Sequence, residues 1–251
     1  MTPARARARR AGVACALAAL VAGAAPGDAP RPPGGEKTSE TELLEAGAVA
    51  LQDTEPVDQL SLWLVGFHPL RHDPSHQMEA HHFCRQVNQD FAQCALFDGG
   101  GEDARLNGIE YIVSEKLFET LPEAERRYWH PHNYEILSGQ LVAPGIPRAA
   151  EHRLMASKIG SYGKTWHVWM SEDPLPYGDA RLAWSFNRDG EARPELVRER
   201  DAKLGTDTRA ARESRQDLAA RAKPQCGVDV LGLPGDAPPP GVTRRTEGCP
   251  R

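Results

Sequence analysis

The residues from which this chain can build a core are confined to one stretch. Residues 52–190 hold nearly all the aromatic side chains, all nine histidines and most of the apolar runs. A stretch of that size supports one core-bearing domain. The segments on either side are rich in Pro, Gly or charge, and too poor in apolar residues to fold alone.

The flanks read as follows. Arg5, Arg7, Arg9 and Arg10 precede an apolar run, Ala11 to Ala24, that is too short to span a bilayer. Ala22-Gly23-Ala24 supplies small residues for cleavage. Residues 1–24 are therefore expected to be a signal peptide, and the protein exported, either periplasmic or secreted. Losing four arginines takes the formal charge from -5 to -9. Such a balance argues against nucleic acid as a partner, and no transmembrane span remains. Residues 25–51 read as a Pro/Gly-rich linker with a short amphipathic helix at Glu40–Leu51. Residues 191–222 carry only Leu196, Val197, Leu204 and Leu218 as large apolar groups, too thin a stripe for a core helix. They are expected to form a charged helical segment, broken near Gly205 and lying solvated against the domain. Residues 223–251 are expected to be a Pro/Gly-rich tail.

With Cys15 in the leader, Cys84, Cys94, Cys226 and Cys249 remain. Nearest-neighbour pairing gives Cys84–Cys94 and Cys226–Cys249, the first loop worth ~3 kcal/mol. Four free thiols are the alternative. No C-x2-C zinc ribbon is present.

Within 52–190, Val57–Phe67 is apolar enough for either helix or strand. Ala92–Phe97 reads as a strand, turning at Asp98-Gly99-Gly100-Gly101 into a second at Arg105–Val113. Helices follow at Ser114–Leu121 and from Leu121 to about Tyr128. His132–Val142 reads as a strand pair bent at Ser138-Gly139. Ala149–Ile159 reads as a helix, Thr165–Ser171 as a half-buried strand and Arg181–Phe186 as the last strand. The expected class is α+β, a mainly antiparallel sheet with packed helices.

The histidines carry the chemistry. His68, His72 and His76 are spaced for one helical face, but Pro69 and Pro74 break that helix. They read as loop histidines. His81 and His82 are adjacent, so only one can face a given site. His130-x-His132 has ligand spacing on an extended segment, where residues two apart share a face. Two readings stand. One is a divalent-metal site, such as zinc, drawn from His81, His82, His130, His132 and His167. Glu110 and Glu135 are then candidate ligands or general bases, and Trp129 and Trp166 candidate pocket walls. The other is a packed, hydrogen-bonded polar network. Around His130, the spacing of the first cupin motif is not met. No nucleophile elbow, P-loop or dinucleotide fingerprint is present.

Several blocks taken together resemble a known family. They are Met78-Glu79-Ala80-His81-His82-Phe83-Cys84, Gln93 to Asp98, Ala104 to Ile112, Glu115 to Pro122, Trp129 to Glu135, and Tyr162-Gly163-Lys164-Thr165-Trp166-His167. In this order the chain resembles the oil body-associated protein family over about residues 55–190. The resemblance implies a shared domain of unknown function and, for plant members, association with seed oil bodies. It implies no catalytic residues. With no long apolar hairpin, lipid contact is expected to be peripheral. Three functions follow as expectations: a metal- or small-ligand-binding domain, a metal-dependent hydrolase or oxygenase, and a lipid-surface protein.

Overall fold

The computed structural model describes residues 32–222. The leader and tail readings, with Cys15, Cys226 and Cys249, lie outside them. The described part opens with helix α1 (Ser39–Leu51), capped by the Thr38 side chain, and the short α2 (Glu55–Asp58). Strands β1 (Leu62–Leu70), β2 (Asp73–Asn88), β3 (Phe91–Phe97) and β4 (Leu106–Val113) follow as an antiparallel meander. Then come α3 (Glu115–Phe118), α4 (Glu123–Arg126), the two-residue β5 (His130–Pro131), α5 (Asn133–Leu137) and α6 (Arg148–Lys158). Strands β6 (Tyr162–His167) and β7 (Arg181–Ala183) precede α7 (Pro194–Leu204), α8 (Thr208–Ser214) and a 3-10 turn at Gln216–Arg221.

The sheet closes on itself. β4 pairs with β6, β6 with β7, and β7 returns to β1, so six antiparallel strands form a barrel. This is α+β in content. β7 meets β1 at the single register pair Leu70↔Ala183. Residues 130–143 complete the wall there: β5 lies on β6 through His130↔Gly163, and Val142 bridges Val65 of β1.

Alternation sets what the barrel encloses. One parity of each strand faces inward: Leu62, Leu64, Gly66 and His68 on β1, and Ala80, His82 and Cys84 on β2. Leu96, Cys94 and Ala92 on β3 and Gly108, Glu110 and Ile112 on β4 stand opposite one another in register. Cys84 and Cys94 are register partners and are joined by a disulfide. Apart from this inward-facing set, Val113, Phe118, Trp129, Tyr162, Leu182 and Trp184 form one apolar cluster. Leu64, Ile136, Leu141, Met155 and Leu218 form another under α6.

Three expectations change. His132–Val142 is not a strand pair. His132 is the N-cap of α5, and Gly139, at φ +79°, turns the chain back where a Cβ would strike Thr208 and Arg212. The strand expected at Thr165–Ser171 starts earlier, at Tyr162. Residues 194–221 are helical but are not a solvated appendage. Arg200 and Arg215 are fully buried. Arg200 Nη1 donates to Gln140 O at 2.8 Å, and Arg215 Nη1 donates to Ile136 O at 2.7 Å and Leu141 O at 2.9 Å. The thin apolar stripe is supplemented by arginines that donate to backbone carbonyls around the turn at Gly139.

α1 buries no residue; Leu43, Leu44, Val49 and Leu51 are all exposed. No helix among the described residues is long and apolar enough to cross a membrane.

Candidate metal centre

Glu110 occupies the middle of the barrel, 2% exposed. Its position follows from β4 alternation, between Gly108 and Ile112 on the inward face. Its two oxygens look in different directions. Oε2 lies 2.8 Å from His82 Nε2 and 3.9 Å from His68 Nε2. Oε1 lies 3.1 Å from His132 Nε2 and 3.5 Å from His130 Nε2. His68 Nε2 is in turn 3.2 Å from His82 Nε2, while His68 Nδ1 is 2.9 Å from His167 Nε2. All these imidazoles are buried.

The backbone fixes two tautomers. His82 Nδ1 lies 3.1 Å from the carbonyl oxygen of Ala80, which only accepts, so Nδ1 carries the hydrogen. His132 Nδ1 lies 2.8 Å from Ser161 Oγ, whose own hydrogen goes to Lys158 O. His132 Nδ1 is therefore a donor too. In their neutral forms both residues present a bare Nε2 to the same carboxylate. This is how metal-binding imidazoles are usually held, with the far nitrogen donating outward.

Charge follows from burial. Burial pushes the Glu110 carboxyl up, but His82, His130 and His132 outweigh it and hold it well below the usual range. Burial, then the Glu110 charge, raise Glu135 well above that range. Burial lowers His68 well below its ordinary value, and His130 and His167 to about 4. The centre is one carboxylate among imidazoles, of which His68, His130 and His167 are disfavoured in the charged form by burial.

The local backbone leaves space for this convergence. A Cβ on Gly163 would lie 2.6 Å from His132 Nε2, 2.7 Å from His130 Nε2 and closer still to Glu110 Oε1. Only glycine lets the three donor atoms meet over β6. His130 is fully buried, and neither of its ring nitrogens makes a hydrogen bond. A cavity of about 30 Å³, partly open to solvent, lies against His82, Glu110, His132 and Glu135 between Leu62, Leu64, Ile112 and Leu141.

The sequence candidates separate cleanly. His82, His130, His132 and Glu110 meet, and Glu135 reaches the group from α5, with Oε1 3.8 Å from His132 Nε2. His167 touches the group through His68. His81 does not join it. Its ring points outward, between Glu79 Oε1 at 2.6 Å and Trp63 Nε1 at 3.2 Å, as alternation with His82 requires. Trp129 packs in the outer apolar cluster and donates to Glu125, and Trp166 lies beside Tyr128 outside the barrel. Trp184, 5.6 Å from the His130 ring, is the aromatic wall instead. His68, read as a loop histidine, belongs to the centre. Its parity with Leu62, Leu64 and Gly66 was the available signal, but Pro69 obscured it.

A closed antiparallel barrel with a buried histidine–carboxylate centre is the class of protein that fold and site define. The chain belongs to the family described as "Protein of unknown function (DUF1264)", whose model matches residues 54–219. It is 40% identical over 200 residues to oil body-associated protein 2A of Zea mays, covering 78% of this chain and 79% of that protein. It is 39% identical to oil body-associated protein 2B of Arabidopsis thaliana, covering 85% of each. It is 36% identical to oil body-associated protein 1B of Arabidopsis thaliana, covering 82% of this chain and 85% of that protein. No solved structure matches. The expectation of export is corrected by these relatives. They are plant proteins named for oil bodies, which lie inside cells, and nothing supports a periplasmic or secreted destination.

Proposed function

We propose that this chain is a metal-binding barrel protein that holds a divalent ion such as zinc through Glu110, His130 and His132. The observation that carries the reading is the donor triangle over Gly163, with His130 buried and unpaired at one corner. A metal 2.0–2.1 Å from each donor sets neighbouring donors about 3.0–3.4 Å apart. The 3.1 Å separation from Glu110 Oε1 to His132 Nε2 falls in that range, and the 3.5 Å separation to His130 Nε2 lies just beyond it. Imidazole with carboxylate suits zinc, iron or nickel. The test is metal analysis of the purified full chain, with thermal unfolding before and after chelation. Bound metal, lost in His130→Ala/His132→Ala, supports the reading. No bound metal and no stability change in that variant removes it.

The pocket favours a catalytic use of the ion over a purely structural one. Structural zinc is enclosed by four protein ligands, whereas catalytic zinc keeps an open position. Here two of the three donors, Glu110 and His132, line a cavity, with the Glu135 carboxyl beside them to move a proton. A metal-dependent hydrolase or oxygenase is the matching reaction class.

A lipid-surface role is a second reading, carried by α1. Leu43, Leu44, Gly47, Ala48 and Leu51 recur at helical spacing on a helix that buries none of its residues. The relatives' names point the same way. Flotation with triacylglycerol emulsions tests it. Binding lost in Leu43→Glu/Leu44→Glu supports it, and equal flotation of both proteins, or none, removes it.

A further inference from the structure

We infer that the centre takes two divalent ions, with Glu110 bridging them through one oxygen each. The inference rests on the metal-binding reading above. It adds a second position built from His68, His82 and the Oε2 atom of Glu110.

The second position repeats the first with different residues. Its donor separations are 3.2 Å between the two Nε2 atoms, 2.8 Å from His82 to Oε2 and 3.9 Å from His68 to Oε2. Each group has its three donor atoms within 4.8 Å of one another, and Glu110 is the one residue they share. Each group also has one imidazole whose tautomer is set from behind by a hydrogen-bond acceptor, Ala80 O for His82 and Ser161 Oγ for His132. A third imidazole, His167, holds His68 by its Nδ1. The closest approach is the most informative. An ionised carboxylate oxygen and a bare imidazole nitrogen 2.8 Å apart are both lone-pair donors. A metal ion is a partner that both can share.

A carboxylate that serves one ion needs donors around one oxygen. Here donors surround both, on opposite sides, and they come from β1 and β2 on one side and residues 130–132 on the other. Paired-metal centres place their ions about 3.5–4 Å apart, a span that a bridging carboxylate covers. Two doubly charged ions against Glu110 and Glu135 leave the buried centre positive. Small anions or hydroxide from solution are the ligands that offset this charge, and the pocket gives them a route.

The experiment counts ions. Full-length chain is stripped with chelator, loaded with excess Zn2+ and passed through gel filtration. Zinc per chain is then measured by mass spectrometry, and binding steps by calorimetry. Two zinc ions per wild-type chain are expected, one in His68→Ala and one in His130→Ala. One ion in the wild type overturns the second site and leaves the first reading standing. None overturns both. Where His68→Ala fails to fold, His68→Gln replaces it, and the wild type loaded with Mn2+ supplies an independent readout. An exchange-coupled electron paramagnetic resonance spectrum is expected; a simple uncoupled six-line spectrum overturns the bridge.

Discussion

Arg215 Nη1 donates to the Leu141 carbonyl oxygen at 2.9 Å, tying the last described turn of the chain to the segment that closes the barrel. The guanidinium is fully buried, and its Nη2 also meets Glu151 Oε1 at 2.9 Å. Truncation removes the Arg215 donors from two carbonyls and one carboxylate. Arg215→Ala is expected to cost about 3–5 kcal/mol, the usual penalty for removing one partner of a buried pair. Urea denaturation measures this. A loss below about 1 kcal/mol would show that the segment contributes little to the fold.

Gly163→Ala forces a methyl among three donor atoms. Wild-type protein should gain about 2.7 kcal/mol with zinc at a hundred times its dissociation constant. The variant should gain almost nothing from zinc, whatever its metal-free stability. Thermal scans with and without zinc decide it. Equal zinc stabilisation in both proteins would show that these donors do not act jointly.

The metal-free protein should weaken in mild acid. His130 and His167 are lowered to about 4 in the fold by burial, against an ordinary 6.5 when unfolded. Between those values the unfolded chain binds protons that the folded chain refuses. Stability is therefore fully present above pH 6.5 and is lost as pH falls toward 4, by up to about 3 kcal/mol per group. Denaturant titrations at pH 7.5, 5.5 and 4.5 test the sign. A flat profile would mean that these rings are charged or solvated in the fold.

Reducing Cys84–Cys94 reopens a connection between residues ten apart in sequence. The loop-entropy loss corresponds to about 3 kcal/mol. Because the two residues already face each other across β2 and β3, the fold should persist while its denaturation midpoint drops. Loss of far-ultraviolet circular dichroism on reduction would contradict this.

Legibility in the sequence followed local pattern. The hairpin of β3 and β4 was readable because strands of alternating character flank the Asp98-Gly99-Gly100-Gly101 turn. His130-x-His132 was readable because two residues on an extended backbone share a face. α5 was missed because Asn133 to Leu137 is too short to show helical periodicity and is held at Ile136 O by Arg215, far along the chain. His68 was missed because its partners lie 14 and 99 residues away, the first brought near by the pairing of β1 with β2 and the second only by closure of the barrel. The buried role of Arg200 and Arg215 had no signal in composition, since arginine usually marks a solvated face.

The one-pair joint between β1 and β7 has a consequence for the order of assembly. Residues 130–143 are the clasp of the ring, and the same fourteen positions carry His130, His132 and Glu135. The opposing groups, His68, His82 and Glu110, ride on strands β1, β2 and β4 of the meander. Fastening the clasp and completing the polar centre are thus a single event. A half-fastened chain holds two separated half-sites, and neither is the centre that the closed barrel contains.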